Sequence, residues 1–265
     1  MSRSSRNQVR IGLCPDQLVV AQASSGWRRT KAEKRIIPIE PKDDAAGWHA
    51  AVDALPAALT AGAAITVVLS NHFVRYALLP WNPSLTRDDE WLAFARHRLA
   101  LVHGNTTEEW VVRCAETSPK GPRLACAVDR ALLAVLDETI SAGGATLISV
   151  QPYLMAAFNH IRLAIGNGPG WAVVHEPGRL TLALIQDGTW AALRTRRVDE
   201  RWRANLADIL ERESAVLALE QSCTRVFVYT QEPFQTGEDG AFSMSPMPVV
   251  GEAGPDSRRF AMVAG

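Results

Sequence analysis

The chain has 265 residues, 47% of them apolar and 21% charged, a globular composition that excludes disordered, collagenous and coiled-coil classes and leaves room for two compact lobes. Lys plus Arg and Asp plus Glu balance at 28 each, so net charge supplies no general attraction to nucleic acid or to an anionic membrane. The four cysteines, Cys14, Cys114, Cys126 and Cys223, form neither a CxxC pair nor a metal-ligand spacing with histidine, and no apolar run reaches the roughly eighteen residues of a membrane helix, which together predict a cytoplasmic chain with free thiols.

Residues 9–14 and 18–23 read as two short strands joined at Pro15-Asp16-Gln17, and a third strand follows at 35–39 after a basic stretch. Trp48, Val52, Leu55 and Leu59 recur at helical spacing across 45–61, with Pro56 bending the last turns. The apolar run 65–69 suits a strand covered on both faces, which completes the order β-β-β-α-β. From Val74 a second pattern begins: strand 74–79, helix 86–103, strands 110–115 and 124–128, helix 130–142 and strand 146–150. This β-α-β-β-α-β order predicts a ferredoxin-like lobe. Thr86 and Asp129 serve as predicted N-caps, and Gly104 and Gly143-Gly144 as stops.

Pro152 opens a further helix that ends in the glycine-rich run 166–170. The first pattern then returns, with strands 171–175, 180–186 and 190–196, a helix over 200–221 and a strand at 225–230. Asp187-Gly188 marks the hairpin between the second and third of these strands. Beyond Glu232 the composition is rich in Gly, Pro, Ser and Met, which predicts a flexible tail over 232–265 with a possible short strand at 248–250.

Two β-β-β-α-β units with a lobe inserted after the first resemble the actin-like ATPase superfamily, whose halves are each RNase-H-like. The segment 67–81, with Arg75-Tyr76 and Pro80, is similar to the type II secretion L proteins and type IV pilus M proteins. So are the helix carrying Glu90, Ala93 and Arg96 and the returning Ser149-Val150-Gln151-Pro152. The resemblance implies an α/β fold divided as 1–73 plus 151–167, an inserted lobe 74–150, a second RNase-H-like subdomain 168–231, and the tail.

In nucleotide-binding members of that superfamily each first hairpin carries an Asp-x-Gly whose turn amides cradle phosphate and whose carboxylate orients a cation. Here Gly12 is retained, but Arg10 stands at the carboxylate position and Pro15 removes an amide donor. In the second hairpin Glu176 and Gly178 flank Pro177, and the adenine-side glycines expected near Thr230 are replaced by Gln231-Glu232-Pro233-Phe234. Gly12, Asp16, Glu176 and Gly178 are thus the candidates for any residual nucleotide contact, and no cofactor, metal or catalytic residue is expected. The first strand lacks the carboxylate of an RNase-H nuclease, and Ser70-Asn71-His72 lacks a nucleophile elbow.

Two basic groups remain as partner-binding candidates: Arg28 and Arg29 beside Trp27, and Arg194, Arg196 and Arg197. The resemblance implies a non-catalytic, cytoplasmic assembly component whose partner is an inner-membrane protein's tail or an assembly ATPase. The alternatives are an actin-like ATP binder with an altered phosphate site and a nucleic-acid-binding module.

Overall fold

The computed structural model describes residues 7–23, 33–40, 47–115, 121–166, 168–217, 223–247 and 257–264. β1 (Gln8–Leu13) and β2 (Gln17–Ala23) form the expected antiparallel hairpin, closed where the Cys14 amide donates to the Gln17 carbonyl at 3.1 Å. β3 (Glu33–Pro38) pairs with β2, and α1 (His49–Ala54) passes into a 3-10 turn (Leu55–Ala58). Pro56 lies in the first turn of that segment, where its missing N–H stops the α-helical ladder. β4 (Ala64–Leu69) runs parallel to β1 and is almost wholly buried, as its unbroken apolar sequence requires.

β5 (Val74–Leu79), α2 (Asp88–His103), β6 (Trp110–Ala115), β7 (Arg123–Asp129), α3 (Arg130–Ala142), β8 (Thr146–Pro152) and α4 (Tyr153–Ile165) follow. The Asp129 carboxylate accepts from the Ala131 amide at 2.8 Å and caps α3 as predicted, whereas the N-cap of α2 is Arg87 in place of Thr86. The predicted ferredoxin-like lobe is only half formed. β5, β7 and β6 make a three-stranded sheet that packs on α2 through Leu79, Trp91, Ala95, Leu99, Val112 and Ala125. β8 instead joins β4 in parallel, and α3 lies over β8 and the Leu55–Ala58 turn. The reason is that β4, covered on both faces, needs a parallel neighbour on its open edge, and the β7-α3-β8 segment delivers one through a helical crossover. Trp48 Nε1 donates to the Asp129 carboxylate at 3.3 Å, and Leu59 packs on Gly143, tying α3 to that sheet.

β9 (Gly170–Glu176), β10 (Arg179–Gln186), β11 (Thr189–Arg197), α5 (Leu206–Val216) and β12 (Arg225–Thr230) repeat the first pattern. The two sheets run β3-β2-β1-β4-β8 and β11-β10-β9-β12-β14-β13, so each begins with three antiparallel strands and continues with a parallel one. The helix expected over 200–221 is shorter, because residues 201–205 form turns before α5. α5 buries Leu206, Ile209 and Leu210 on Leu180, Leu182 and Leu184 of β10.

The tail is ordered where it is described, contrary to the sequence reading. β13 (Gly237–Asp239) and β14 (Phe242–Pro246) extend the second sheet, and Phe242 and Met244 point into its core. A final 3-10 segment (Ser257–Val263) packs on β1 and β2, with Ala261, Met262 and Val263 all buried. Gly and Pro composition misled because these residues shape turns between short apolar anchors. The possible strand at 248–250 lies outside the described residues.

The chain divides into two compact units, one of Met1–Val74, Val128–Ala156 and Val250–Gly265, the other of Arg75–Ala127 and Ala157–Val249. The division falls inside α4, so the expected assignment of 151–167 to the first subdomain fails for the later turns. Phe158 packs on Trp190 and His160 stacks on Tyr229, both within the second unit.

Candidate functional site

In the first unit the candidate Gly12 sits in mid-strand, opposite Val19 and Val68. An added Cβ there would lie 2.6 Å from Met262 Sδ, 3.0 Å from Met262 Cγ and 3.3 Å from Val19 Cβ. Its smallness therefore serves internal packing: the thioether of the final 3-10 segment occupies the space over the strand. Cys14 Sγ lies 3.3 Å from the same sulfur. Asp16 is exposed at the hairpin tip, where its carbonyl accepts from the Ile39 amide at 2.8 Å. Asn71, buried at the end of β4, accepts from the Leu154 amide at 3.2 Å and so caps α4. The Ser70-Asn71-His72 stretch is thus structural in its Asn.

In the second unit Pro177 and Gly178 form the two-residue turn between β9 and β10, and Gly178 takes φ +75°, the left-handed conformation that favours glycine. Its carbonyl accepts from the Val198 amide at 3.2 Å. Glu176 is buried and faces Arg179 across the hairpin. On the opposite face of the same sheet His175 stacks on Trp202 at 4.0 Å, with Nδ1 3.1 Å from Thr230 Oγ1. Burial lowers the His175 pKa to about 4, an effect that Glu232 opposes and Arg203 reinforces. Arg203 and Glu232 form an ion pair, and a cavity of about 650 Å³ beside them is lined by His175, Gly178, Asp199, Trp202 and Glu232. The neutral imidazole is thus a packed aromatic, already engaged by Trp202 and Thr230.

Of the basic candidates, Arg194 and Arg196 both reach Glu213 of α5, at 3.7 and 3.1 Å. Arg197 points to the other face, directly opposite Arg179. Trp27, Arg28 and Arg29 lie outside the described residues. A groove of about 470 Å³ is lined by Leu78, Pro80, Trp81, Trp190, Leu193 and Arg194, with Trp81 39% exposed. Sequence reading did not single out Trp81, which lies two residues beyond the end of β5. No group of three or more His, Cys, Asp or Glu residues is arranged to hold a metal ion among the described residues, and no helix among them is long and apolar enough to cross a membrane.

The duplicated sheets and their strand orders define an α/β protein of the actin-like fold. Solved structures of that class are similar along most of the chain. The cytoplasmic domain of EpsL, an inner-membrane component of the type II secretion system of Vibrio cholerae, shares 12% identity over 98% of this chain and 95% of that one, with a TM-score of 0.61. PilM in a PilM-PilN type IV pilus biogenesis complex gives 14% identity, 83% and 80% coverage, and a TM-score of 0.62. A Bacteroides thetaiotaomicron protein with an actin-like ATPase fold and unknown function gives 9%, 86% and 83%, and 0.59. No protein-family description and no curated protein matches the sequence.

Proposed function

We propose that this chain is a non-catalytic assembly component of a type IV pilus or type II secretion machine, with an actin-like fold whose nucleotide site is degenerate. The observation that carries this reading is Met262 packed over Gly12, the position at which an actin-like ATPase would need open approach to phosphate. Pro15 and Pro177 remove amides from both hairpin turns, and Arg10 occupies the place of a cation-orienting carboxylate. The resemblance in fold to PilM of a PilM-PilN complex and to the EpsL cytoplasmic domain supports the choice of machine. On this reading the protein works in the cytoplasm and binds an inner-membrane assembly protein or an assembly ATPase. The groove beside Trp81 and Arg194 is the favoured contact, since a half-exposed tryptophan and an arginine are strong interface anchors.

The test is thermal unfolding with millimolar Mg-ATP, together with an ATPase assay. A ligand that stabilises the native state raises its melting point as its concentration passes its dissociation constant. No shift and no hydrolysis are expected, and a saturable, Mg-dependent shift would overturn the reading. Cross-linking in the native cell should recover an inner-membrane assembly protein or the assembly ATPase with the wild-type chain and not with Trp81→Ala.

A further inference from the structure

The groove beside Trp81 has walls of one chemical kind. Pro80 and Trp81 follow β5, Pro122 precedes β7, and Trp190, Ala191 and Leu193 come from β11. Apart from Arg194 the lining carries no charge. Its volume of about 470 Å³ is that of a cleft for a small ligand or a few residues of a peptide.

Trp81 is held in place. Its ring stacks on the fully buried Trp91, with centroids 6.0 Å apart and planes at 26°. Pro80 fixes the backbone before it. After it the Asn82 side chain accepts from the Ser84 amide at 3.0 Å, and the Asn82 carbonyl accepts from the Leu85 amide at 3.1 Å, closing a turn. An exposed indole that is already ordered loses little entropy on binding.

Three modes of peptide recognition compete for such a groove, and the structure separates them. β11 is the outer strand of its sheet, so an added strand is the first candidate. The register of β11 on β10 jumps from Ala192 opposite Leu184 to Trp190 opposite Ile185, leaving Ala191 as a bulge at the groove itself. A bulge bends an edge away from further pairing. A helix brings carbonyls already bonded within itself, whereas a polyproline II segment leaves its carbonyls free. The Trp48 and Trp91 indole N–H groups donate to Asp129 and to the Leu85 carbonyl, but that of Trp81 meets no acceptor among the described residues. The remaining feature is charge. Glu213 lies 3.7 Å from Arg194 and 3.1 Å from Arg196, so one carboxylate serves two guanidinium groups, and the Arg194 side chain stays 48% exposed. That favours a carboxylate on the occupant.

We infer that the groove binds a proline-rich peptide segment in the polyproline II conformation, with an aspartate or glutamate beside its prolines. Proline rings pack on Trp81 and against Leu193, the Trp81 N–H donates to a peptide carbonyl, and Arg194 takes the carboxylate. Polyproline II turns once in three residues, about 9 Å, so prolines three apart face the groove together. The inference rests on the assembly reading, because it names the chemistry of the partner segment at the same groove.

The experiment pans a phage-displayed library of random dodecapeptides on the full chain, counter-selects on Trp81→Ala, and measures the selected peptides by titration calorimetry. Enrichment of Pro-x-x-Pro with an adjacent Asp or Glu is expected. Trp81→Ala should weaken binding about tenfold or more. Trp81→Phe, which keeps a ring and loses the N–H, should weaken it about fivefold. Arg194→Gln should weaken only peptides that keep the carboxylate. Ala191→Glu places a negative charge at an exposed position in the groove, so it should abolish binding without moving the melting point. Selected peptides that lack proline, whether β-branched strands or apolar helices, overturn the inference. So do absence of enrichment over the counter-selected pool and binding that Trp81→Ala and Ala191→Glu leave intact. Each of these failures leaves a cross-link to an assembly partner standing, whereas loss of that cross-link with proline peptides still bound refutes the assembly reading alone.

Discussion

The packing of Met262 on Gly12 can be read out by a double-mutant cycle. Met262 is fully buried, so Met262→Ala removes its thioether from a site roofed by the final 3-10 segment and floored by a residue with no side chain. Truncation of a buried methionine costs about 2–5 kcal/mol, the higher end where neighbours cannot collapse into the space. Gly12→Ala alone places a Cβ 2.6 Å from Met262 Sδ and 3.3 Å from Val19 Cβ, and overpacking of this kind costs about 1–3 kcal/mol even with some movement of the flexible sulfur. In the double variant the new methyl enters the space the thioether left, so the combined loss should fall short of the sum by about 1 kcal/mol or more. Urea unfolding followed by circular dichroism measures all four corners, with unchanged slopes confirming that stability alone has altered. Losses that add to within about 0.5 kcal/mol would refute the packing argument, and with it the claim that Gly12 is small for the sake of Met262.

Because His175 is held neutral at a pKa of about 4 against an ordinary 6.5, the unfolded chain binds more protons than the folded one between those values. The stability it contributes is complete above about pH 6.5 and is lost as pH falls toward 4, by up to about 3 kcal/mol, so His175→Phe, which keeps the stack on Trp202, should flatten the acid limb of a stability–pH curve. In the β10–β11 turn, Gly188 takes φ +69° beside Asp187 at φ +50°. Gly188→Ala should therefore cost about 1–2 kcal/mol in chemical unfolding while Asp187→Asn is close to neutral.

Much of the architecture was legible because it is encoded locally. Pro15-Asp16 and Asp187-Gly188 announce hairpins through backbone preference alone, Asp129 caps α3 with its own side chain, and the apolar run of β4 suits a strand buried on both faces. The repeated β-β-β-α-β order followed from these signals, and the duplicated sheet order agrees with it. What stands over Gly12 was not legible, since Met262 is 250 positions distant and nothing near it in sequence marks a buried anchor.

Tertiary structure decided what local preference left degenerate. The order β-α-β-β-α-β is satisfied equally by a closed lobe and by a three-stranded sheet whose last strand leaves, and only the unfilled edge of β4 selected the second, drawing β8 into parallel pairing. The placement of the β11 arginines turns on a smaller choice. Counting back from the Asp187-Gly188 turn, with Gln186 opposite Thr189, would set Arg179 opposite Arg196; a bulge between Leu184 and Ile185 shifts the register by one, so Arg197 faces it instead. One inserted residue exchanges the two faces of the strand, sending Arg196 to Glu213 and Arg197 to Arg179, because side chains alternate strictly along a strand while the position of a bulge is set by packing.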